Sequence, residues 1–303
     1  MGEKGLAGVA PTIVVNIDAV VETPKPEPQR AAEATAAVTA APATSSDRGG
    51  VGDGQKKGVA FFDLDHTIID TNSSWHWMQH EIHNGRVGAG FFFTALYWFA
   101  RYAAGFGAGA ERAGAEAAEL YAGTAEEELQ HEVERFFHKE LAHRMRPGCA
   151  PVMQKHAAAG ERCIICTSSW QHPARSAARL FDCETDPADV ISSVMEVDAA
   201  GMLSGKIAKV AFGDGKYHVT KEWADANDVD LMQCHFYTDS MSDVLLMEKV
   251  GFPIAVNPDA RLRAHAKERG WEIHDWGIAE SQMKKPRYSY GCLNFSGAAA
   301  GPG

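Results

Sequence analysis

The chain has 303 residues, 45% of them hydrophobic and 23% charged, with a formal net charge of -11. This is the composition of a globular protein able to bury a substantial core. The acidic balance excludes nucleic acid as the main partner, because a phosphate backbone demands a basic surface. It also means that an anionic ligand requires a local positive site.

Residues 1–57 are rich in Ala, Pro, Thr, Glu and Gly and read as a disordered extension, with the run 12–21 as a candidate strand or docking peptide. The start, Met1 to Leu6, has neither the basic residues nor the apolar run of a signal peptide, so a cytoplasmic protein is expected. The first strand is the apolar run Val59-Ala60-Phe61-Phe62, ending at Asp63. From 72 to 146 no clear strand appears. Helices are expected over 75–81, 90–105, 110–122 and 124–143, the last with Glu126, Glu127 and Glu128 in its first turn. The 90–105 segment is apolar almost all round, which suggests a buried cap helix or weak contact with a lipid surface.

Beyond the cap, strands are expected at 162–166, 234–238, 253–256 and 271–273. Helices are expected at 147–159, 173–181, 216–227, 241–250 and 258–269, several with Pro near the first turn. Cys163 and Cys166 form the only C-x-x-C among six cysteines. On a strand two residues three apart face opposite sides, so both are expected as reduced core residues. Residues 277–303 are expected to be a flexible tail. Apolar strands alternating with helices imply an α/β fold with a parallel sheet covered on both faces, and ligands in such sheets bind beyond the carboxyl ends of the strands.

Three strands place acids or hydroxyls at that edge. Asp63-Leu64-Asp65-His66-Thr67 follows the first strand. Asp63 is the candidate nucleophile, forming an aspartyl-phosphate, and Asp65 the general acid and then base. Thr167, helped by the N–H of Ser168, is a candidate phosphate cradle after the second strand. Asp239 and Asp243 follow a later strand and suit a hard cation such as Mg²⁺, with Asp63 and the backbone carbonyl of Asp65. Asp239 is expected as a direct ligand and Asp243 as an outer partner. A fixed cation is also needed: Lys216, after Gly213-Asp214-Gly215, competes for that role with Lys206, Lys209 and Lys221.

These pieces, in this order, resemble the haloacid dehalogenase (HAD)-like hydrolases, subfamily IB, the group that includes phosphoserine phosphatase. Asp63-x-Asp65-x-Thr67, Thr167, Lys216 and Asp239-x-x-x-Asp243 match its four motifs. The resemblance singles out Lys216 among the lysines. It implies a Rossmann-like core over 58–71 and 147–276, a helical cap over 72–146 inserted after the first strand, Mg²⁺ as cofactor, and hydrolysis of a small phosphorylated metabolite through an aspartyl-phosphate. Phosphoserine phosphatases carry a Glu shortly after the first motif, whereas here Thr71-Asn72-Ser73-Ser74 holds no acid. Phosphoserine is thus one alternative substrate and a lipid phosphate another. A metal-free dehalogenase and a non-catalytic phospho-sensing scaffold are the remaining readings. Sequence gives no oligomeric state.

Overall fold

The computed structural model describes residues 58–88 and 110–279. The expectations for residues 1–57, for the apolar 90–105 segment and for 280–303 lie outside them. Seven strands form one sheet: β1 (Val59–Phe62), β2 (Arg162–Trp170), β3 (Ile191–Val197), β4 (Leu203–Lys209), β5 (His235–Thr238), β6 (Phe252–Val256) and β7 (Glu272–His274). Their order is β4-β3-β2-β1-β5-β6-β7, parallel except for β4, which runs antiparallel to β3. The fold is α/β with a Rossmann-like sheet, as the alternating pattern implied.

Both faces of β1 are covered, which explains its unbroken apolar run. Ala60 and Phe62 enter one core with residues of α4 (Cys149–Ala158) and α5 (Gln171–Leu180). Val59 and Phe61 enter the other, with Trp223 of α6 (Asp214–Ala226), Leu246 and Met247 of α7 (Val244–Met247), and Leu262 of α8 (Ala260–Arg269). Phe61 and Phe62 are both fully buried, each contributing about 2–3 kcal/mol of transfer free energy. Cys163 and Cys166 fall in opposite cores, as strand alternation requires.

Among the described residues, α1 (Ser73–His83), α2 (Ala110–Glu119), α3 (Glu126–Phe136) and then α4 lie between β1 and β2. The helix expected over 124–143 ends early. After Phe136 the chain widens into a π-helical turn, Phe137–Leu141, then tightens into a 3-10 turn, Ala142–Arg144. Phe137 and Leu141 are thereby both brought fully into the core. Similarly, the helix expected at 241–250 opens as a 3-10 turn, Met241–Asp243, before α7.

The β3–β4 hairpin was not foreseen. β3 carries Ser192 and Ser193 in its buried interior, and β4 is largely exposed beyond Leu203 and Gly205, so neither shows a clean apolar run. The Ser193 hydroxyl is satisfied locally: it donates to the Ser168 carbonyl at 2.9 Å and accepts from the Ala211 N–H at 3.1 Å. Residues 277–279, expected in a flexible tail, are tied to the core. Arg146 donates to the Gly277 carbonyl, and the Ala279 N–H donates to Asp70 at 2.9 Å.

Candidate active site

Strand order places the site. From β1 the chain moves outward through β2, β3 and β4, then returns to the other side of β1 as β5. β1, β2 and β5 therefore meet at the point where the direction of winding reverses, where such sheets bind ligands. Phe62 pairs with both Ile165 and Tyr237, so Asp63 and Asp239, which directly follow β1 and β5, stand at nearly the same level as Thr167, which lies inside β2 because that strand runs on to Trp170 rather than ending at 166.

The turn after β1 begins with Asp65 and passes through His66 in a left-handed conformation, φ 59°. His66 is held by its backbone: its N–H donates to the Thr71 carbonyl and its carbonyl accepts from Arg146 Nε at 3.1 Å. This turn brings Thr67 back beneath the acids. Its hydroxyl lies 3.4 Å from Asp63 Oδ2 and 3.3 Å from Asp239 Oδ1. One buried hydroxyl thus touches carboxylates from two distant strands.

Lys216 is 1% exposed. Its ammonium donates to Asp63 Oδ1 at 3.0 Å and to Asp243 Oδ2 at 2.7 Å. The glycines before it explain how a lysine enters this depth. Gly213, at φ 55°, precedes α6, and a Cβ on Gly215 would stand 2.4 Å from the Val210 carbonyl oxygen. Any side chain at 215 would push the start of α6, and Lys216 with it, away from the acids. The rival lysines are remote from this role: Lys209 pairs with Glu222 and Lys221 with Asp225, both on the surface, and Lys206 is exposed.

Asp243 also accepts from the Thr238 hydroxyl at 2.6 Å. Its Oδ2 is therefore committed to orienting Lys216, while the Asp239 carboxylate accepts from the Thr67 hydroxyl. Thr167, 1% exposed, accepts from the Ser169 N–H at 3.2 Å; Thr167 and Ser168 both line the cavity beside Asp63. The Asp65 carboxylate is held from two sides, by the Ser73 N–H at the start of α1 and by the Ser169 hydroxyl, each at 2.6 Å. Ser169 was missed in the sequence. Its signal was present, as the third hydroxyl of Thr167-Ser168-Ser169, but nothing local indicated that it would reach across to the first strand.

Burial dominates the electrostatics. It pushes the Asp63 carboxyl up to about 7, with Lys216 pulling it down and Asp243 and Asp65 adding to the rise. Asp239 is pushed well above the usual carboxylate range by burial and then by Asp63 and Asp243. For Lys216, burial alone would lower the pKa, but Asp243 and Asp63 outweigh it and the ammonium is held above its ordinary value. Two buried acids, Asp63 and Asp243, and the half-buried Asp239 thus stand around one buried cation. Apart from Lys216 the neighbouring groups offer oxygen, and the acids outnumber the cation. That donor set fits a small hard divalent cation.

A profile of the haloacid dehalogenase-like hydrolase family matches residues 60–248. Over 241 residues the chain is 30% identical to phosphoserine phosphatase SerB1 of Mycobacterium tuberculosis, covering 75% of this chain and 73% of that one. It is 29% identical over 248 residues to a histidinol-phosphatase of Neisseria meningitidis, covering 72% and 98%. Among solved structures, a Bordetella pertussis protein of unknown function superposes with a TM-score of 0.64 at 28% identity, covering 74% of this chain and all of that one. With its sheet, its winding and its matched span in agreement, this chain belongs to the haloacid dehalogenase-like hydrolase family.

Proposed function

We propose that the protein is a Mg²⁺-dependent phosphomonoester hydrolase that works through an aspartyl-phosphate on Asp63. The supporting observation is the buried contact set around Asp63: Lys216 at 3.0 Å on one oxygen, and the Thr67 hydroxyl linking the other to Asp239. The names of the two curated relatives, a phosphoserine phosphatase and a histidinol-phosphatase, point the same way.

In this reading Asp63 attacks phosphorus and the P–O bond to the alcohol breaks. Asp65, steadied by Ser73 and Ser169, gives its proton to the departing alkoxide and then takes one from the water that hydrolyses the acyl phosphate. The Thr167 hydroxyl and the Ser168 N–H bind non-bridging phosphate oxygens. Lys216 keeps the Asp63 charge from repelling the incoming phosphate. Asp63, the Asp65 carbonyl and Asp239 would hold Mg²⁺, with Asp243 as an outer partner. When bound, the ion supplies positive charge to the phosphoryl oxygens. Core residues 58–71 and 147–276 carry this chemistry beneath a cap at 72–146, and a cytoplasmic location is proposed with it.

A dehalogenase would need neither a leaving-group acid nor a third carboxylate beside Asp63 and Asp243, so Asp65 and Asp239 favour the phosphatase. Phosphoserine itself is disfavoured by the Thr71–Ser74 stretch, where Ser73 and Ser74 line the cavity and no acid stands. The test is phosphate release from phenyl phosphate. The expected result is turnover abolished by EDTA and restored by Mg²⁺; turnover that survives EDTA contradicts the metal assignment, and none over a broad panel of esters contradicts the phosphatase.

A further inference from the structure

The cavity that opens at Asp63 extends far beyond the phosphate. Its volume is about 770 Å³. Above the acids its wall is apolar, with Trp77 and Met78 from α1, Leu129 and Val133 from α3, and Trp170 and Met195 from the sheet. Helix α1 sets the scale. Ser73, Trp77 and Glu81 follow one another on the same helical face. The Ser73 N–H touches Asp65. Glu81 stands a little over two turns further along, about 12 Å up the helix axis.

Glu81 lines this cavity and is only 3% exposed. One carboxylate oxygen accepts from the Tyr121 hydroxyl at 3.4 Å, and that hydroxyl in turn accepts from Trp77 Nε1 at 2.7 Å. The other oxygen lies 3.1 Å from Arg86 but accepts no hydrogen bond among the described residues. Arg86 donates through both amino groups to Glu132. Among the described residues one guanidinium serves both carboxylates, and His80, 3.9 Å from Glu132, adds no second full cation, since burial lowers its pKa. Burial raises the Glu81 pKa while Arg86 draws it down.

We propose that the substrate's alcohol portion has an apolar body about 10 Å long and a cationic far end, the body lying along Trp77 and Val133 and the cation against Glu81. This rests on the phosphatase reading above and adds the class of leaving group. A carboxylate in a wall that excludes water interacts strongly with a fitting cation. Phosphoserine, whose ammonium is two carbons from the ester oxygen, is too short to span from the acids to Glu81.

The experiment compares kcat/KM for 6-aminohexyl, hexyl and 2-aminoethyl phosphates, with phenyl phosphate as reference. The expected result is that the 6-aminohexyl ester exceeds both the others about tenfold or more. In Glu81→Gln its advantage over the hexyl ester should fall toward one; because both esters are measured on one preparation, this ratio is independent of how much variant folds. A wild-type ratio near one, a ratio that Glu81→Gln leaves intact, or a 2-aminoethyl ester turned over as well as the long one would overturn the proposal. No turnover of any of these four esters or of the broad panel would overturn the phosphatase reading and this one with it.

Discussion

The two ends of the cavity are built on different principles. At the catalytic end, Asp63 and Asp239 directly follow two parallel strands paired in register, Thr167 lies on the third strand beside them, and each polar group has another at hydrogen-bond distance. At the cap end, the wall comes from helix faces and one hairpin strand, and Leu129, Val133 and Met195 form a small cluster of their own with Ala118 and Leu203. Strand register leaves little freedom to the first end. Helix faces at the second can exchange one apolar residue for another at modest cost. On the proposed function, the difference assigns the reaction to the sheet edge and the choice of substrate to the helical wall above it. Changes at the sheet edge should lower turnover of every ester, whereas changes in the cap wall should reorder esters.

The largest effect is expected for Asp63→Asn, which should lower kcat by about 10⁴-fold or more for every ester. Near wild-type turnover would show that the nucleophile lies elsewhere. Next comes Lys216→Met, which removes the one buried cation among three acids. It should cost about 3–5 kcal/mol of stability, because the acids are left uncompensated, and it should lower turnover as well. Denaturant melts check the first and steady-state kinetics the second.

Ser169→Ala tests a subtler part of the same edge. Loss of the hydroxyl that steadies Asp65 should reduce kcat about tenfold for alkyl esters and less for phenyl esters, whose leaving group needs little protonation. Equal losses for both would show that Ser169 does not act through Asp65.

The smallest effect concerns His172 in the cap-side wall. It is 1% exposed, and burial, with Arg175 beside it, pushes its pKa down to about 3. A histidine whose folded-state pKa is depressed binds its proton more readily when unfolded. Stability is therefore lost as pH falls below about 6.5, the unfolded value, and the loss continues down toward the folded value. His172→Asn should accordingly lose about 1–2 kcal/mol less than wild type between pH 7 and pH 5. Thermal melts at the two pH values measure this; parallel losses in the two proteins would contradict it.

The same contrast explains what could be read from the chain alone. The sheet edge was legible because each acid or hydroxyl directly follows a buried, unbroken apolar run, as at Phe61-Phe62-Asp63; at Thr167 that run ends but the strand itself continues to Trp170. Lys216 was legible only through its glycines and the family resemblance, since nothing local separates a buried lysine from Lys209 or Lys221. Ser169 and Glu81 were not legible as site residues. Their partners, Asp65 and Arg86 with Tyr121, lie in other elements, and sequence spacing carries no trace of such pairings. The hairpin escaped because buried serines interrupt its apolar pattern and the Ser193 hydroxyl is satisfied by tertiary partners, Ser168 and Ala211, which no local pattern announces.

The central claim is that phosphorus passes through a covalent bond to Asp63. A phosphomonoester carrying labelled phosphate, mixed with the enzyme, quenched in acid and mapped by peptide, should place a hydroxylamine-labile label on the peptide that contains Asp63. Label recovered on another residue, or none under conditions of rapid turnover, would contradict the account.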